Sequence, residues 1–261
     1  MKLNLLVILF CSMIAITGKA QDRSLFLKKE FIYKEDTMPY RILLPLNYNS
    51  SKNYPLILFL HGSGERGNDN EKQLVHGSNL FLRDSIRQNY TAFVVFPQCS
   101  EFGYWSNVFR VENETGRKRF TYRADGEPTP DMALLQELLK SILKTYPIDK
   151  KQVYVGGLSM GGMGTFEIVR RNPKIFAAAF PICGGAEPST ASAMKKVHWW
   201  IFHGGKDDVV IPAFSEEIVE ALKKKKADVK FTLYPEANHN SWDNAFAEPG
   251  LLPWLFSQHK K

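Results

Sequence analysis

Short apolar runs alternate with helical patterns along most of this chain. Pro55-Leu56-Ile57-Leu58-Phe59-Leu60 and Ala92-Phe93-Val94-Val95-Phe96-Pro97 are unbroken apolar stretches, as strands covered on both faces of a sheet require. Phe31-Ile32-Tyr33 and Tyr40-Arg41-Ile42-Leu43-Leu44-Pro45 read as an antiparallel opening pair. A helix capped by Asp131 and running through Thr145 gathers Leu134, Leu135, Leu138, Leu139, Ile142 and Leu143 on one face. Strand Gln152 to Val155, a helix from Met160 to about Arg171 and strand Phe176 to Ile182 come next, followed by strand His198 to Phe202, a helix from Ala213 to about Lys225, strand Val229 to Tyr234 and a last helix from about Gly250. Strands alternating with helices predict βαβ units, and so an α/β fold with a mostly parallel central sheet of about eight strands and helices on both faces. No repeat or low-complexity linker interrupts residues 21–261, so these form one predicted domain.

The first twenty residues follow another logic. Leu5 to Thr17 is almost unbroken apolar sequence behind Lys2, and Gly18-Lys19-Ala20 supplies the small residues of a cleavage site. This is the pattern of a secretory signal peptide cut after Ala20, and a run of thirteen residues falls short of the roughly 20 that span a bilayer. No stable membrane anchor is expected. Cys11 lacks the small residue before it that lipoprotein processing needs, because Leu9-Phe10 precedes it.

Composition changes the picture little. With 44% hydrophobic and 23% charged residues the 261-residue chain is an ordinary globular protein. The formal charge of +7 raises the possibility of a polyanionic partner, but removing residues 1–20 takes away Lys2 and Lys19 and leaves +5. Part of the excess is Lys223-Lys224-Lys225-Lys226, which suits the negative end of a helix dipole. The remainder lies partly in an aromatic loop, described below, so the basic balance points to that loop and not to nucleic acid.

Three segments that follow predicted strands carry the candidate chemistry, at the sheet end where open α/β folds place their sites. Gly157-Leu158-Ser159-Met160-Gly161 is a G-x-S-x-G between a strand and a helix. Such a turn strains the serine backbone and lifts its hydroxyl clear, marking Ser159 as a nucleophile. A serine needs a base, and the base needs an orienting acid. Of the six histidines, His61 and His203 each precede a glycine at a strand end, His198 begins a strand, His259 is in the tail and His76 lies before the nucleophile, leaving His239 as the base. Asp207 and Asp208 are the adjacent candidates for the acid. An oxyanion formed at the attacked carbonyl needs two backbone donors: the Met160 amide and one from the turn Gly62-Ser63-Gly64. No H-E-x-x-H or C-x-x-C occurs, and the predicted mechanism needs no metal or cofactor.

Leu60-His61-Gly62-Ser63-Gly64-Glu65-Arg66-Gly67, Gly157 to Gly162, Phe176 to Gly185 and Phe202 to Pro212 together resemble the α/β-hydrolase superfamily. Within it they are most similar to the secreted single-domain carboxylesterase and predicted-peptidase group related to dienelactone hydrolases, feruloyl esterases and polyhydroxybutyrate-depolymerase-like enzymes. The resemblance implies that Asp207, in an HG-x-x-D-x-x-V loop ending at Val210, is the acid, and that Ser63 is the second oxyanion donor. It implies a serine esterase acting on a small-molecule or polysaccharide ester, with acetyl or feruloyl groups on carbohydrate as the expected substrate. A peptidase of prolyl-oligopeptidase type and an idle carbohydrate-binding protein on the same scaffold are the alternatives.

About thirty residues between Pro97 and Asp131 show no clear element, and loops of that length are usually functional. This one carries Phe102, Tyr104, Trp105, Phe109, Phe120 and Tyr122 among Arg110, Arg117, Lys118, Arg119 and Arg123. Trp105 is the expected substrate contact. Cys99 and Cys183 end strands that the fold separates by about three positions, roughly 14 Å and beyond a disulfide's reach, so both are expected as free, buried thiols.

Overall fold

The computed structural model describes residues 22–112 and 118–260. The expected signal peptide and Arg117 lie outside the described residues. Among the described residues ten strands are formed: β1 (Phe26–Tyr33), β2 (Asp36–Leu43), β3 (Tyr54–Leu60), β4 (Phe93–Pro97), β5 (Val108–Glu112), β6 (Lys118–Tyr122), β7 (Ile148–Leu158), β8 (Ala178–Ile182), β9 (His198–Gly204) and β10 (Val229–Tyr234). The helices are α1 (Ser78–Leu82), α2 (Asp84–Asn89), α3 (Pro130–Thr145), α4 (Met160–Arg171), α5 (Ala191–Met194), α6 (Ala213–Lys224), α7 (Trp242–Ala247) and α8 (Leu251–Ser257). Eight strands make one sheet in the order β1-β2-β4-β3-β7-β8-β9-β10. It is antiparallel at β1-β2 and β2-β4 and parallel from β4 through to β10.

The alternation of side chains explains why these strands read as continuous apolar runs. Leu56, Leu58 and Leu60 of β3 face one cluster, with Val153 and Val155 of β7 and with Met132, Leu135 and Phe166 of α3 and α4. Ile57 and Phe59 face the other, with Phe81 of α1 and Leu251, Leu252 and Leu255 of α8. Both faces of the sheet are therefore covered by helices, and so β3 shows no polar alternation.

The start of α3 differs from expectation, while its end at Thr145 agrees. Its cap is Thr129, whose Oγ1 accepts a hydrogen bond from the Met132 amide at 3.2 Å. Asp131 points elsewhere, accepting from the Ser100 amide at 2.7 Å and the Ser100 hydroxyl at 3.0 Å, and so ties the helix to the chain leaving β4. The long loop also contains structure, because β5 and β6 pair as an antiparallel hairpin. Its pattern is disguised in the sequence: Phe109 and Val111 face solvent while Phe120 is buried. Phe120 packs with Met163 of α4, Val210 and Phe214, which seats the hairpin on the elements after β7 and β9.

Candidate active site

Ser159 sits between β7 and α4 with φ 53° and ψ −116°, a conformation that costs a non-glycine residue energy. The turn is affordable only because its neighbours are small. A Cβ on Gly161 would strike the Leu60 carbonyl, and one on Gly157 would strike the Gly161 carbonyl. The elbow thus packs directly onto the end of β3, and the Ser159 amide donates to Ile182 O at the end of β8 at 2.9 Å.

His239 lies on the loop after β10, and the structure brings its Nε2 to 2.9 Å from Ser159 Oγ. Its Nδ1 is 2.8 Å from Asp207 Oδ2. A carboxylate only accepts, so Nδ1 carries the proton and Nε2 is free to accept from the serine hydroxyl. Asp207 follows β9, is buried, and takes the Val209 and Val210 amides on Oδ1 at 3.0 and 2.9 Å. Its neighbour Asp208 is exposed. Burial alone would raise the Asp207 carboxyl, but hydrogen bonds from His203, His239 and Val210 overcome it and hold the group well below the ordinary carboxylate range.

The turn after β3 lies beside the elbow: a Cβ on Gly62 would come within 2.9 Å of Leu158 Cδ1. Ser63 is exposed and begins a 3₁₀ turn, Ser63–Glu65, while Met160 is the first residue of α4. First-turn amides have no acceptor within their own helix, which leaves both available to a ligand. His61 braces this turn. Its Nε2 accepts from the Cys99 amide at 2.9 Å, which places the ring proton on Nδ1, 2.6 Å from Gly62 O. Burial lowers the His61 pKa to about 4, in keeping with a neutral ring. Arg66 adds a second brace, with Nε 2.9 Å from Ser63 O and Nη1 3.2 Å from Gly103 O.

Trp105, expected to meet substrate, is instead fully buried. Its indole N–H donates to His61 O at 3.2 Å, and its Cβ occupies the space that a side chain at Gly164 of α4 would need. An indole at 0% exposure supports the turn from behind and presents no face to a ligand. Phe102, three residues earlier, is 93% exposed. Trp242 has no counterpart among the expected site residues; it stands edge-on to His239 with ring centroids 5.5 Å apart. Its place three residues after the histidine was the only available signal.

Cys99 and Cys183 are free and buried, and they follow β4 and β8, three strand positions apart. Among the described residues, the group with metal-ligand spacing is Cys183, Asp207 and His239. Asp207 and His239 are already engaged with each other, and burial pushes the Cys183 thiol up. The described residues also contain no helix long and apolar enough to cross a membrane.

Comparison with known proteins follows the same lines. The Esterase family model, described as "Putative esterase", matches residues 33–244. A bifunctional acetylxylan esterase/xylanase of Neocallimastix patriciarum is 27% identical over 62% of the chain and 20% of its own length. The "Probable feruloyl esterase C" of Aspergillus oryzae is 25% identical over 69% of the chain and 58% of its own. The chain thus spans well under two thirds of either relative. Among solved structures, a thermostable esterase superposes with a TM-score of 0.81 at 32% identity, covering 90% of this chain and 64% of that one.

Proposed function

The chain belongs to the Esterase family and has its α/β-hydrolase fold, and on that premise we propose that it hydrolyses carboxylic esters through an acyl-enzyme on Ser159. The observation that carries this reading is the unbroken relay of hydrogen bonds from Ser159 through His239 to Asp207, at 2.9 and 2.8 Å. Ser159 Oγ attacks the ester carbonyl as His239 Nε2 takes its proton, and Asp207 holds the imidazole by Nδ1–H throughout. The Met160 and Ser63 amides receive the oxyanion, and loss of one such donor costs about 2.7–4 kcal/mol of barrier. Collapse releases the alcohol with the proton from His239. Water then enters, gives a proton to His239 and attacks the acyl carbon, and a second oxyanion intermediate yields the acid and free Ser159.

The substrate class we propose is an acetyl or feruloyl ester on carbohydrate, in line with the names of the two relatives. With Trp105 buried, Phe102 is the most exposed aromatic among the described residues of the loop that Arg66 ties to the oxyanion turn. Residues 1–20 are proposed as a signal peptide, so N-terminal sequencing of exported protein should begin at Gln21; an uncleaved Met1 would refute this. Ser159→Ala should lower hydrolysis of p-nitrophenyl acetate by 10⁴-fold or more, on the order seen when a triad serine is lost, and abolish fluorophosphonate labelling with the fold intact. Retained labelling would sink the assignment. Acetylated xylan, methyl ferulate and a prolyl peptide compared side by side separate the ester and peptide readings.

A further inference from the structure

His203, next to last in β9, is at 0% exposure and outside the three groups of the proposed reaction, yet it touches one of them. Its Nε2 lies 2.7 Å from the Val210 carbonyl oxygen and 3.2 Å from Asp207 Oδ2. Neither partner can donate, so Nε2 carries a proton and is shared between the two oxygens. On the far side of the ring, Nδ1 is 2.7 Å from Ser215 Oγ, and that hydroxyl reaches Gly184 O at 2.8 Å. Ser215 belongs to α6 and is itself fully buried. The ring is therefore pinned at both nitrogens, by a helix on one side and by the acid loop on the other.

The consequence falls on Asp207. Its Oδ1 is held by two backbone amides, whereas Oδ2, the oxygen that orients His239, meets only imidazole donors among the described residues: His239 at 2.8 Å and His203 at 3.2 Å. A buried carboxylate with too few donors either takes up a proton or turns to find others. His203 also holds the Val210 carbonyl, whose residue supplies one of the amides on Oδ1, so the loop and the carboxylate are fixed by one ring.

We propose that His203 is a positioning residue that keeps Asp207 ionised and aimed at His239, making the acid of this site a carboxylate shared by two histidines. The inference rests on the triad reading above. His203→Leu should lower kcat for p-nitrophenyl acetate about 30-fold or more while KM stays within about twofold. His203→Gln, whose amide N–H can replace Nε2–H, should remain within about fivefold of the native kcat. In an Asp207→Asn background, His203→Leu should cause no further loss beyond about twofold, because its route of action is gone. Equal losses in both backgrounds, or native kcat in His203→Leu alone, overturn the proposal. Should His203→Leu fail to fold by circular dichroism, Ser215→Ala, which frees Nδ1, decides: about a tenfold drop in kcat is expected, and a native kcat overturns it. If Asp207→Asn alone keeps native activity, the triad reading itself has failed, which is a different result from an inactive Asp207→Asn beside an active His203→Leu.

Discussion

The two ends of the sheet differ in what they do with polar groups. At the C-terminal ends of β7, β9 and β10, Ser159, Asp207 and His239 converge, and their polar atoms are mostly spent on one another and on the nearby backbone. At the opposite end lies a depression of about 930 Å³, lined by Lys174, Lys195, Lys196, Lys225, Lys226 and Lys260. A second of about 350 Å³ adjoins it and adds Lys140, Lys144 and Lys150. The acid that lines the first depression, Asp228, is already taken by His198 at 2.7 Å. Volume and positive charge are found there without a hydroxyl or thiol held against a base. Chemistry needs groups held against one another at low exposure, and this end has like charges that stay apart in water. Nine lysines line the two depressions at this far end of the molecule.

The contrast can be broken at several strengths. The strongest test is Asp207→Asn, which leaves His239 without its orienting carboxylate and should cut kcat by about 10⁴-fold, while the exposed neighbour in Asp208→Asn stays within about twofold. Similar losses in both variants would mean that the adjacent acids share the role.

A smaller effect should appear in stability. His61 has its pKa lowered from 6.5 to about 4 by burial, so the folded state disfavours its charged form. The sign follows: this contribution is fully present above pH 6.5 and is lost as the pH falls from there toward 4. The loss amounts to about 3 kcal/mol on the scale of 1.36 kcal/mol per pKa unit. Chemical denaturation between pH 7 and 4 should show a drop smaller by about that amount in His61→Gln; an unchanged drop would mean that His61 is not the titrating group. The smallest effect belongs to the far end. Replacing Lys174, Lys225 and Lys260 together by Gln should leave kcat/KM on a neutral ester within about twofold, since surface charges this far from the reaction are screened. A tenfold fall would join the two ends functionally.

Much of the fold was legible because its strands and helices carry their instructions locally. β10 and α4 start and stop where the sequence pattern puts them, since a period of 2 or 3.6 is written in consecutive residues. The hairpin β5-β6 was not legible, because Phe109 and Val111 face water and blur the alternation. The cap of α3 was misread for a related reason: Asp131 is a good capping residue by type, and only the approach of Ser100 recruits it elsewhere.

The site divides along the same line. The strained elbow at Ser159 is a local device, a serine flanked by glycines between a strand and a helix, and the sequence alone determined where it lies. Sequence alone also set the order Ser159, Asp207, His239 along the chain. Tertiary structure decided what depends on distant neighbours: that Asp207 turns inward and Asp208 outward, that Trp105 fills the room left by Gly164 on another element, and that His203 meets the same carboxylate as His239. These outcomes depend on which atoms arrive from elsewhere in the chain, and backbone propensity carries no record of them.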